Sequence, residues 1–90
     1  MIALPRGIWH VNGATRTILD TKGLNCPLPV LKARRALRAM AKGDALEVLA
    51  TDPGAVKDFQ AFAEATGHRL LEQREEDGVY VFVLEKGEGP

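Results

Sequence analysis

The stretch Gly23-Leu24-Asn25-Cys26-Pro27-Leu28-Pro29 constrains this chain more than any other, because its prolines limit where a helix can begin. Pro27 suits a first helical position, where a fixed φ is already helical and the missing N–H would have had no intrahelical partner. Downstream, Val30, Ala33, Leu37 and Met40 or Ala41 recur at three- and four-residue steps, while Lys32, Arg35, Arg38 and Lys42 fall on the other side. That spacing predicts an amphipathic helix of roughly four turns. Lys42-Gly43-Asp44 closes it, with glycine expected at C′. Proline keeps the residue before it out of the α region, so Cys26 should sit extended at the bend as N-cap or its neighbour.

Cys26 is the only cysteine of the chain. At a helix start the first-turn N–H groups and the helix dipole, about half a positive charge, favour an anion. A thiol there is expected to ionise more readily than a free cysteine, whose pKa is about 8.5, and the thiolate is the reactive form. Pro27 and Pro29 remove two donors, leaving the N–H groups of Leu28 and Val30 to face the sulfur. The competing reading is a buried small hydrophobe. Two prolines, a glycine and an asparagine around the sulfur favour a functional thiol instead.

Ninety residues make one domain with enough core to fold without metal or disulfide. Twelve basic and twelve acidic residues cancel, so no net field favours nucleic acid and direct nucleic-acid binding is not expected. One cysteine cannot form an internal disulfide, and the segment MIALPRGIWHVNGATR has no continuous apolar run. It reads neither as a signal peptide nor as a membrane span, so a cytoplasmic location and no membrane partner are expected.

Residues 1–15 show no period and read as an N-terminal extension, with Trp9 and His10 as loosely packed arm residues. Arg16 to Asp20 is a short strand, and Ala45 to Thr51 is the best buried strand. Asp52-Pro53 opens a second helix, with Asp52 as N-cap and Pro53 in the first helical position. Val56, Phe59, Phe62 and Ala63 give its core stripe, and Thr66-Gly67-His68 ends it. Arg69 to Glu75 and Val79 to Glu85 are strands joined by a hairpin at Asp77-Gly78. The last strand is apolar on both faces and should be central. The expected domain is 16–86, with 87–90 a frayed tail. The order predicts an α/β fold: a two-layer βαβαββ sandwich with both helices on one face of a four-stranded mixed sheet.

Between Pro27 and Gly43 stand five basic residues, Lys32, Arg34, Arg35, Arg38 and Lys42, and no acidic one. Such a ridge is either a solvated face or a surface that steers an acidic protein toward the sulfur. His10, His68 and one cysteine lack ligand spacing, so no metal or cofactor is expected. Nothing resembles a Ser-His-Asp set or a glycine-rich phosphate loop. Without a second cysteine, C-x-x-C redox chemistry is absent too. A lone thiol still suffices to accept and pass on a sulfur atom.

Asp20-Thr-Lys-Gly23-Leu24-Asn-Cys26-Pro27-Leu-Pro29, the basic helix after it, Gly43, Thr51-Asp52-Pro53, Asp58 and Thr66-Gly67-His68 together resemble the TusA/SirA-like (YedF-like) sulfur carrier family. The match spans about Ile18 to Lys86. The resemblance implies a βαβαββ sandwich and a persulfide held on Cys26, supported by Gly23, Leu24, Pro27 and Pro29 of the motif. It implies a cysteine desulfurase or rhodanese-like donor and a downstream relay acceptor, with tRNA 2-thiouridine among the destinations. It also places Arg34 and Asp52 near the docking surface, and with Leu31, Arg35 and Arg38 these make the expected docking set. The alternative is a non-catalytic protein- or RNA-binding regulatory module using the basic helix.

Overall fold

The computed structural model describes residues 16–88, so the expectations for the arm, Trp9 and His10 included, lie outside the described residues. The elements run β1 (Arg16–Asp20), α1 (Leu28–Arg38), β2 (Ala45–Ala50), α2 (Ala55–Thr66), β3 (Arg69–Glu76) and β4 (Val79–Glu85). This is the expected α/β order. The sheet is mixed, β1-β2-β4-β3, with β1 parallel to β2 and the β4 pairings antiparallel.

Pairing sets which side chains face the helices. Leu46 opposes Leu84 and Val48 opposes Phe82, and period-2 alternation puts these residues on one side. They share one buried cluster with Ala33 and Leu37 of α1 and Ala55, Phe59 and Phe62 of α2, so both helices cover that face. Phe59 and Phe82 stack with ring centroids 4.5 Å apart at its centre. Each fully buried side chain of this size contributes about 1.5–3 kcal/mol. Val81 and Val83 point to the other face and are also buried, as a central β4 requires. The hairpin before β4 turns on Asp77 and Gly78, whose φ values of 51° and 82° fit a type I′ turn.

The helix ends differ from the sequence reading. Helix α1 starts one residue later, with Pro27 as N-cap and Pro29 inside the first turn. It ends at Arg38, where Ala39 and Met40 make short-range bonds back to Ala36 and Leu37, and Gly43 belongs to the next turn. Lys86 Nζ donates to the Leu37 carbonyl at 2.7 Å, supplying a C-terminal cap from the far end of the chain. Helix α2 starts at Ala55 with Gly54 as N-cap, not with Asp52 capping and Pro53 leading. Its end matches: Gly67 is left-handed and donates to the Ala63 carbonyl.

The expected tail is held at its start. Lys86 exchanges backbone hydrogen bonds with Gly43 and Asp44, and the Gly87 N–H donates to Nδ1 of buried His68 at 2.9 Å. A Cβ on Gly87 would stand 2.3 Å from the Gly67 carbonyl oxygen, so only glycine fits.

Candidate functional site

Parallel pairing of β1 with β2 brings their carboxyl ends to one edge, and the loops leaving those ends build the site together. Thr21 is buried and sends both its N–H (2.8 Å) and its hydroxyl (2.6 Å) to the Leu49 carbonyl. Gly23, at φ 84°, donates its N–H to Thr51 Oγ1 at 2.9 Å. Half-buried Leu24 donates to the Thr21 carbonyl at 3.1 Å. Gly23 thus ties the loop to the segment leaving β2 and Leu24 closes the loop on Thr21, while Pro29 is buried in the first turn of α1 and Pro27 is exposed next to Cys26 in the chain.

Cys26 is exposed. Its backbone N–H donates to Asp52 Oδ2 at 2.5 Å, and the other oxygen of that carboxylate accepts from the Gly54 N–H at 3.2 Å. Asp52 therefore clamps two loops where a helix cap was expected. Gly54 lies against the cysteine, since a Cβ there would meet Cys26 Cβ at 3.4 Å.

The thiol itself donates to Asp58 Oδ2, on the first turn of α2. This overturns the expected ionisation. The hydrogen bond to Asp58, loss of solvation, and the charges of Asp58 and Asp52 together push the Cys26 thiol up from 9.0 to about 11. A full negative charge in contact outweighs a helix start worth about half a positive one. The N–H donors foreseen for the sulfur are weak as well: that of Leu28 serves the Asn25 carbonyl at 2.9 Å. Asp58 carried no local signal as a sulfur partner, because tertiary packing of α2 against α1 brings it there.

Two grooves flank α1. One, about 500 Å³, runs between the helices and is lined by Cys26, Pro27, Val30, Asp58, Phe62 and two alanines. The other, about 410 Å³, lies toward β1 with Leu19, Leu28, Leu31 and Ala36 as its floor and Lys32 and Arg35 on its rim. Leu28 and Leu31, both lining this groove, are 44% and 51% exposed. Arg34, Arg35 and Arg38 are exposed and have no acidic partner within 4.0 Å among the described residues. Asp52 sits apart from them, at the sulfur. Among the described residues no three His, Cys, Asp or Glu side chains group to hold a metal ion, and no helix is long and apolar enough to cross a membrane.

A two-layer βαβαββ sandwich presenting one exposed, carboxylate-held thiol at the head of its first helix defines a small single-thiol domain. The family model described as Sulfurtransferase TusA matches residues 17–86. The sulfur carrier protein TusA of Allochromatium vinosum is 56% identical over 68 residues, covering 76% of this chain and 90% of that protein. That of Pseudomonas aeruginosa is 45% identical over 69 residues, covering 77% of this chain and 87% of its own. The crystal structure of the SirA-like protein from Desulfitobacterium hafniense superposes with a TM-score of 0.71 at 31% identity, over 80% of this chain and 99% of that one. The chain belongs to the TusA family.

Proposed function

We propose that this protein is a sulfur carrier that holds sulfane sulfur as a persulfide on Cys26. The observation that carries the reading is the exposed thiol, bonded to the Asp58 carboxylate on a residue whose amide Asp52 holds, at the mouth of an apolar groove, in a chain of this family. Loading forms a bond from Cys26 Sγ to the outer sulfur of a donor persulfide and breaks the donor's S–S bond. The donor sulfur leaves with the electron pair and ends as a thiol, so no oxidant is consumed. Discharge repeats the exchange, with an acceptor thiol attacking the outer sulfur and Cys26 leaving.

The donor is a cysteine desulfurase or rhodanese-like protein and the acceptor a relay protein, in tRNA 2-thiouridine synthesis or another sulfur-trafficking pathway of the cytoplasm. Leu31, Arg34, Arg35 and Arg38 form the docking face, and the three arginines steer partners through their unpaired charge. Asp52, with Gly23, Leu24, Pro27 and Pro29, shapes the loop that presents the sulfur. The working domain spans 16–86.

Incubation with a cysteine desulfurase and free cysteine should add one sulfur atom to the mass, and Cys26→Ser should abolish the gain. A gain that survives Cys26→Ser overturns the reading. So does an in-cell function that ignores Cys26→Ala and fails on Arg34→Glu with Arg35→Glu, the signature of a non-catalytic binding module.

A further inference from the structure

Resting on that reading, we infer that the Asp58 carboxylate is the catalytic proton acceptor for sulfur loading. It takes the Cys26 proton as the new S–S bond forms and hands it to the departing donor thiolate.

Three features of the site support this. The thiol is already in hydrogen-bond contact with Asp58 Oδ2, so the first proton movement needs no rearrangement of the two side chains. The backbones that carry both partners are held: the Asp52 carboxylate accepts from the Cys26 amide, and the Asp58 N–H bonds the carbonyl of Gly54, the N-cap of α2, at 3.3 Å. Asp58 also lines the same groove as Cys26, where a donor persulfide must lie to be attacked, beside the apolar wall of Val30 and Phe62.

A resting thiolate is an unsuitable nucleophile here. With the thiol near 11, about one molecule in ten thousand is ionised at neutral pH, and Asp58 and Asp52 are the charged groups that keep it so. A proton leaving as the bond forms avoids that low population. In balance, Cys26–SH and R–S–SH give Cys26–S–SH and R–SH. The Cys26 Sγ–S bond forms, the donor S–S bond breaks, the electron pair leaves on the donor sulfur, and the proton crosses by way of Asp58. In discharge the proton of the acceptor thiol reaches the leaving Cys26 sulfur by the same oxygen, restoring the S–H···O bond.

The test measures two rates on one sulfur: alkylation by iodoacetamide and loading by glutathione persulfide, for wild type, D58N and D58E. Asparagine removes the charge and drops the thiol toward its ordinary value. A fall of about two pKa units raises the thiolate about a hundredfold and lowers its intrinsic nucleophilicity about tenfold, so alkylation at neutral pH should rise about tenfold. Loading should instead fall about tenfold or more, since a positioned base contributes about 10²–10⁴. D58E, which keeps the carboxylate, should recover part of the loading rate. Both rates rising together in D58N would make Asp58 a brake on the thiol and overturn the relay.

Wild type alone gives an independent reading. Alkylation should climb with pH toward about 11, while persulfide loading stays flat from neutral pH to about 9. Loading that climbs in parallel with alkylation needs the free thiolate and also overturns the relay. Wild type that alkylates but takes no sulfur from any donor is a different failure, that of the carrier reading itself.

Discussion

The two helix starts of this protein look alike in sequence and behave differently. Each follows one of the parallel strands, and each passes through a residue-proline pair, Cys26-Pro27 before α1 and Asp52-Pro53 before α2. Neither helix receives a side-chain cap. At α1 the polar side chain is the functional sulfur. At α2 both acids reach across to the first start, Asp58 to the Cys26 thiol and Asp52 with one oxygen to the Cys26 amide while the other keeps the Gly54 N–H. The second start thus serves the first, and the electrostatics of the thiol are written some thirty residues downstream of it.

Loosening α2 should disturb the sulfur more than loosening α1. Phe59→Ala removes a ring stacked on Phe82 next to Asp58 and should cost about 3–5 kcal/mol in chemical denaturation, with faster alkylation of the folded protein. Leu37→Ala, fully buried on α1, should cost about 2–5 kcal/mol and leave alkylation near wild type. Equal acceleration by the two variants would mean that both helices hold the sulfur.

Asp52→Ala strips the acceptor from the N–H groups of Cys26 and Gly54 and should cost about 1–3 kcal/mol. Alkylation should quicken as well, because the Asp52 charge is one of those holding the proton on sulfur. Unchanged stability would show that water replaces the clamp.

The thiol also leaves a mark on stability against pH. Its folded pKa is pushed up to about 11, above its ordinary value, so between those values the unfolded chain gives up the proton first. Stability from this group is present below about 9 and lost as pH rises through about 11. Subtracting the denaturation profile of Cys26→Ser isolates it, and a flat difference would deny the Asp58 contact. The smallest effect belongs to Gly54→Ala. Its methyl would meet Cys26 Cβ at 3.4 Å, ordinary van der Waals contact, changing stability by about a few tenths of a kcal/mol while shifting the alkylation rate measurably.

What could be read from the chain alone divides along local and non-local lines. Strand positions, the Asp77-Gly78 turn and the left-handed end at Gly67 were legible because period, turn chemistry and the αL cap are local. The early end of α1 was not, since its cap is Lys86, forty-nine residues away. The same distinction runs through the site. The position and exposure of Cys26 follow from its prolines, whereas the direction of its pKa shift depends on Asp58, which sequence spacing alone does not bring to the sulfur.

Sheet register also decides which pole of the molecule is free. Arg16 pairs with Ala45, and Ala45 with Glu85, so the described chain enters and leaves the sheet at one end. Asp20 and Leu49 reach the opposite end, four residues or about 13 Å along the strands, where the thiol is mounted. An affinity handle or a fused domain joined past Glu88 would therefore trail from the base of the sandwich. Tethered to a surface in that way, the protein would still offer its sulfur to bulk solution.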